Sequence, residues 1–117
     1  VPDVEVVGDP DAEVLVVGWG STWGSITSAL GRLRSSGHKV AHIHLTHLNP
    51  FPKNLGEVLE NRKHVLVPEM NLGQLSLMLR AEYLVDAKPI SKVAGQPFTA
   101  GELEQIILDY VDEKSTS

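Results

Sequence analysis

The sequence predicts an α/β sandwich built on a mostly parallel sheet. Two observations carry this. Short β-branched runs alternate with longer stretches whose apolar residues recur at helical spacing. The runs are also near-continuous in apolar residues, as strands covered on both faces require. A length of 117 residues with 42% hydrophobic residues suits one domain, residues 1–117, with a core of its own.

The elements follow in order. Val4–Val7 reads as an extra edge strand. Val14-Leu15-Val16-Val17 is a buried strand that stops at Gly18. Trp23, Ile26, Leu30 and Leu33 mark a helix from about Trp23 to Ser36, with Gly37 as its stop. Lys39–Leu45 is the next strand, ended by the loop that holds Pro50 and Pro52. Asn54 or a neighbour opens a short helix through Glu60. His64–Val67 is a strand closed by Pro68. Asn71 reads as the N-cap of a helix through about Glu82, with Leu72, Leu75 and Leu79 on one face. Pro89–Val93 is a short final strand. Thr99-Ala100-Gly101-Glu102 is a capping box that opens a helix striped by Leu103, Ile106, Ile107, Tyr110 and Val111. Residues 113–117 form a polar, frayed tail.

Composition excludes several functions. There is no cysteine, so disulfides, thiolate metal sites, iron–sulfur ligation and a Cys nucleophile are absent from this chain. The net charge of −5 argues against a broad nucleic-acid surface. No apolar run nears the ~20 residues of a membrane-spanning helix, and no signal peptide is visible. The charges are uneven. Residues 1–13 carry only acids, whereas residues 14–56 carry none and hold Arg32, Arg34, Lys39 and Lys53 with four histidines. This mildly basic centre suits an anionic ligand. The chain begins at Val1, which is compatible with a piece of a longer polypeptide.

Three constellations could carry chemistry. Gly18-Trp19-Gly20-Ser21-Thr22-Trp23-Gly24 lies between a strand and a helix, the context of an anion cradle. Gly20, Ser21 and Thr22 are the candidate anion-binding residues. The spacing departs from the dinucleotide fingerprint, and no acid follows to hold a ribose. A plain strand–helix turn capped by Ser21 or Thr22 explains the same residues. His42-Ile43-His44-Leu45-Thr46-His47 places His42 and His44 on one strand face. With no carboxylate nearby in sequence, structural histidines fit better than a metal site, and none is assigned. Pro68–Gln74 gathers Glu69, Asn71 and Gln74 at a strand end. These serve either as helix caps or as contacts to a ligand or partner. Trp19 and Trp23 read as core. No Ser-His-Asp order, phosphate-binding lysine loop or paired carboxylate stands out, and no catalytic residue is assigned.

Five segments occur in order: Val16–Gly24, Lys39–Leu45, Leu48–Leu55, Val67–Leu75 and Leu79–Asp86. Within them, Asn49-Pro50-Phe51-Pro52 and Pro68-Glu69-Met70-Asn71-Leu72-Gly73-Gln74 are the most specific words. From about Asp11 to Tyr110 the chain resembles the C-terminal domain of alpha subunits of 2-oxoglutarate:ferredoxin oxidoreductases.

That resemblance implies a transketolase C-terminal-like fold: a three-layer α/β/α sandwich whose five-stranded sheet has one antiparallel edge strand. It implies a cytoplasmic enzyme that oxidatively decarboxylates a 2-oxoacid with thiamine diphosphate and Mg²⁺. The acyl group passes to coenzyme A, and electrons pass through a 4Fe–4S cluster to ferredoxin. Those cofactors are expected elsewhere in the complex, because this chain has no cysteine and no thiamine-type Gly-Asp-Gly motif. The implied partners are the other alpha-subunit domains and the beta subunit, with coenzyme A and ferredoxin serving the whole complex. Asn49, Phe51, Glu69, Asn71 and Gln74 are the interface candidates, and the isolated domain is expected to be inactive. Two alternatives stay open: a stand-alone anion- or partner-binding module, and the same domain of an enzyme for pyruvate or branched-chain 2-oxoacids.

Overall fold

The strands found in the computed structural model are β1 (Val7–Gly8), β2 (Val14–Trp19), β3 (Val40–Leu45), β4 (His64–Glu69) and β5 (Ala87–Ser91). The helices are α1 (Trp23–Ser35), α2 (Leu55–Leu59), α3 (Gln74–Tyr83) and α4 (Ala100–Thr116). The structure describes residues 2–48, 50–60, 62–69, 74–91 and 98–116, with the backbone course alone for Ser91 and residues 112–116. Asn71, read from sequence as a helix cap, lies outside the described residues, as do Val1 and Ser117. The backbone of α4 continues to Thr116, through most of the stretch read as a tail.

The five strands form one sheet in the order β1-β3-β2-β4-β5. β1 pairs antiparallel with β3, and the other pairs are parallel. Strand alternation sorts the core into two layers. Leu15, Val17, Ile43, Leu45, Val65 and Val67 face α2 and α3, against Leu55, Leu59, Leu75 and Leu79. Val14, Val16, Val40 and Leu66 face α1 and α4, against Ile26, Leu30, Leu33, Leu103 and Ile107. This is the three-layer sandwich that the sequence implies.

Local chemistry explains the ends. Thr99 and Glu102 form both bonds of the capping box: the Thr99 N–H donates to Glu102 Oε1 at 3.0 Å, and the Glu102 N–H to Thr99 Oγ1 at 3.1 Å. The Ser25 hydroxyl donates to the Phe98 carbonyl at 2.6 Å, tying the start of α1 to the approach to α4.

Several boundaries differ from expectation. The edge strand is Val7–Gly8, not Val4–Val7, because the Val4 backbone bonds instead to the Asn54 side chain. Pro68 does not close β4 but lies inside it, opposite Ile90 of β5. β5 starts at Ala87, ahead of the expected Pro89, and carries Pro89 within it.

Candidate functional site

The strand order places a switch point beside β2. From β2 the chain crosses to β3 on one side, then returns past β2 to β4 on the other. Ligands of open α/β sheets gather at such reversals, outside the carboxyl ends of the strands. Here the ladder also opens. β2 and β4 pair only over Val14–Val16 and His64–Leu66, whereas β2 stays paired with β3 as far as Trp19. Val17–Trp19 and Val67–Glu69 therefore flank a notch between the two strand ends.

The glycine turn forms one wall. Gly20–Thr22 make a single 3₁₀ turn that runs into α1. Gly20 has φ +68°, a left-handed backbone that glycine adopts without a steric penalty. Open space surrounds the positions where Gly20 and Gly24 would carry a Cβ. Gly18 is the opposite case. A Cβ there would lie 2.8 Å from Ile26 Cδ1 and 3.1 Å from His44 Nδ1. A larger residue there would have to displace the tip of Ile26 and crowd the His44 ring and the Thr22 hydroxyl where β2 passes beneath α1.

The expected cap by Ser21 or Thr22 is absent. Thr22 is buried and its hydroxyl turns backwards, accepting from the Trp19 N–H at 3.2 Å and donating to the Trp19 carbonyl at 3.0 Å. No side chain caps α1. The 3₁₀ turn leads straight into the helix in place of a side-chain cap, with Ser21 exposed beside it. Trp19 and Trp23 are not core: they are 43% and 45% exposed and flank this turn. Their apolar character suggested burial, but each falls just where the layers end.

Glu69 forms the other wall. Its carboxylate accepts from the Leu75 N–H at 2.6 Å and the Ser76 N–H at 3.2 Å. A strand-end carboxylate thus caps α3, in favourable register with the helix dipole. Gln74, the first residue of α3, is exposed. Phe51 lies apart from the notch, half-buried against Tyr83 with ring centroids 5.7 Å apart. Gly20, Ser21, Thr22, Glu69 and Gln74 therefore belong to one strand-end region, and Phe51 to another. Asn49 and Asn71 lie outside the described residues.

The histidine pair faces α1. Trp23 packs on both rings, 5.5 Å from His42 and 5.2 Å from His44. His42 is fully buried, and neither ring nitrogen has a hydrogen-bond partner among the described residues. Burial, then the Arg34 cation, then His44 lower its pKa to about 4. Burial also lowers that of His44. Among the described residues no group of three or more His, Asp or Glu could hold a metal ion. No described helix is long and apolar enough to cross a membrane. Arg34, read from sequence only as one base of the basic centre, reaches from α1 to the sheet edge, its Nη1 3.1 Å from where a Cβ on Gly8 would lie; its helical position gave no sign of this.

Residues 12–103 match the model of the pyruvate:ferredoxin oxidoreductase core domain II family. The chain belongs to that family. It is 54% identical over 109 residues to the 2-oxoglutarate oxidoreductase subunit KorA of Mycobacterium tuberculosis, covering 92% of this chain and 16% of that one. Its fold matches a structure of 2-oxoglutarate:ferredoxin oxidoreductase from Magnetococcus marinus with 2-oxoglutarate, coenzyme A and succinyl-CoA bound. There the TM-score is 0.85 and the identity 32%, over 95% of this chain and 20% of the other. It also matches the alpha chain of a probable 2-oxoacid ferredoxin oxidoreductase from Thermoplasma acidophilum. The TM-score is 0.65 and the identity 25%, over 94% of this chain and 97% of that one. The chain thus spans about a sixth of the M. tuberculosis relative, while the T. acidophilum chain consists almost wholly of this unit.

Proposed function

We propose that this chain is the architectural core domain of a 2-oxoacid:ferredoxin oxidoreductase alpha subunit with 2-oxoglutarate as substrate. The whole cytoplasmic enzyme converts 2-oxoglutarate, coenzyme A and oxidised ferredoxin to succinyl-CoA, carbon dioxide and reduced ferredoxin. The observation that carries this reading is the 54% identity over nearly the full chain to a 2-oxoglutarate oxidoreductase subunit.

The domain's own residues do not fit the redox cofactors. It has no thiolate for a 4Fe–4S cluster, and its described residues hold no metal-binding group. Thiamine diphosphate, Mg²⁺ and the cluster belong to the rest of the complex in this reading, and no chemical step is routed through this chain. Its task is to pack on neighbouring alpha-subunit domains and the beta subunit. Phe51, Glu69 and Gln74, with Asn49 and Asn71, supply that surface. The turn at Gly20, Ser21 and Thr22 holds an anion through its amides, as a phosphate of coenzyme A would require.

Purification of the alpha–beta complex with and without this domain tests the assembly role. Deletion is expected to abolish subunit association and 2-oxoglutarate-dependent ferredoxin reduction. An intact, active complex without the domain overturns the role, and faster turnover of pyruvate or a branched-chain acid overturns the substrate. The isolated chain is expected to turn nothing over. Amide NMR of that chain with coenzyme A and with sulfate tests the turn: unmoved Gly20–Thr22 amides at millimolar ligand remove the anion site.

A further inference from the structure

The large apolar side chains left exposed among the described residues fall in two places: Trp19 and Trp23 at the glycine turn, and Leu77, Met78 and Leu84 on and just after α3. Leu75 and Leu79 already supply the face that α3 turns to the core. Leu77, 66% exposed, therefore contributes little to folding this domain.

Leu84 is the clearest case. Its φ is +55°, the one left-handed non-glycine among the described residues, and its N–H donates to the Arg80 carbonyl at 3.0 Å to finish the helix. Glycine, or sometimes asparagine, normally takes this position, because a Cβ is penalised there. Leucine accepts that penalty while its side chain stays 89% exposed. Among the described residues its side chain gains little burial in return. The same helix walls a groove of about 550 Å³, lined by Phe51, Lys53, Met78, Glu82 and Tyr83; Leu77 and Leu84 lie outside that lining, Leu84 directly following Tyr83 in the chain.

We propose that Leu77, Leu84 and this groove seat one segment of the alpha polypeptide lying outside this domain. That segment is an apolar stretch with an acid to meet Lys53 and a base to meet Glu82. The inference rests on the alpha-subunit reading above. The relative at 54% identity carries this unit as 16% of its length, so a large remainder of that polypeptide is tethered beside it. Tethering keeps such a segment at high effective concentration, and a modest apolar face suffices to hold it.

Hydrogen exchange of α3 and the Phe51–Lys53 loop in the intact alpha subunit, compared with this chain alone, tests the proposal. The T. acidophilum chain, almost wholly this unit, supports studying the domain by itself. Exchange at the ends of α3 and in the loop is expected to be at least tenfold slower in the subunit, and Leu77→Glu is expected to restore the fast rates. Leu84→Asn separates docking from folding. It is expected to raise the melting temperature of the chain alone by about 3 °C, through relief of the left-handed penalty, yet to speed exchange in the subunit. Equal exchange in both contexts overturns the proposal. So does protection that appears only when the beta subunit is added, or a dimer of the chain alone that Leu77→Glu disperses. A native polypeptide near 12.7 kDa, as in the T. acidophilum chain, would overturn the docking proposal alone. Failure of the underlying reading looks different: the native polypeptide bearing this domain would not copurify with 2-oxoglutarate-dependent ferredoxin reduction.

Discussion

Asn54 holds Val4 by both backbone groups: its Oδ1 accepts from the Val4 N–H at 2.9 Å, and its Nδ2 donates to the Val4 carbonyl at 3.0 Å. A side-chain amide thereby takes the place of a neighbouring strand, fifty residues away in sequence. Asn54 sits at the N-cap position of α2 but makes no side-chain bond to that helix. Asn54→Ala is expected to cost about 1–3 kcal/mol in urea unfolding. It should expose the Val4 amide to exchange while leaving the pairing of Val7 with His42 intact.

Glu69 carries the cap of α3, so its replacement should be felt in stability before it is felt in assembly. Glu69→Ala is expected to lower the unfolding free energy by about 1–2 kcal/mol, and Glu69→Gln by less, since the amide oxygen can still accept. Chemical denaturation separates the two. Gln74→Ala, at an exposed position, is expected to leave stability within about 0.5 kcal/mol, and so probes contact with a partner more cleanly.

Acid should loosen the α1 side of the sheet. His42 titrates near 4 in the folded chain and near its ordinary 6.5 when unfolded. The unfolded state therefore takes up the proton first. Stability is expected to be full above about pH 6.5 and to fall as pH drops toward 4, by about 3 kcal/mol in all. Burial under the Trp23 ring is the largest cause of that lowered value, and Arg34 from α1 and His44 from β3 supply the rest. Urea midpoints at pH 7 and pH 5 measure the slope. His42→Leu should flatten it over that interval, and an unchanged slope would sink the assignment.

Gly18→Ala tests the close passage of β2 beneath α1. The new methyl would press on the flexible tip of Ile26 and on the His44 ring. A loss of about 1–2 kcal/mol is expected, with shifted NMR signals at Ile26 and Thr22. Unmoved signals and unchanged stability would mean that the turn has more room than its geometry shows.

The strand centres and the last helix were legible because their signals are local. Val14–Val17 and Lys39–Leu45 announce themselves by composition, and the parity of His42 and His44 put both on one face, where Trp23 meets them. Thr99 and Glu102 carry their cap three residues apart, and both bonds form. What escaped depends on distant partners. Val4 looked like a strand until Asn54 claimed its backbone, and Pro68 looked like a stop although β5 pairs alongside it. The notch between β2 and β4 has no sequence signature, because it arises where two separate ladders cease to coincide. The exposure of Trp19 and Trp23 likewise follows from where the layers end, not from residue type.

The borders of the sheet limit how this domain can meet its neighbours. One border is a strand of only two residues, and the other carries Pro89, which has no N–H to offer. Neither presents the long row of free donors and acceptors that lets one sheet grow onto another. Two copies of this domain are thus poorly equipped to zip together edge to edge, which leaves helix faces and strand-end loops as the surfaces open to contact.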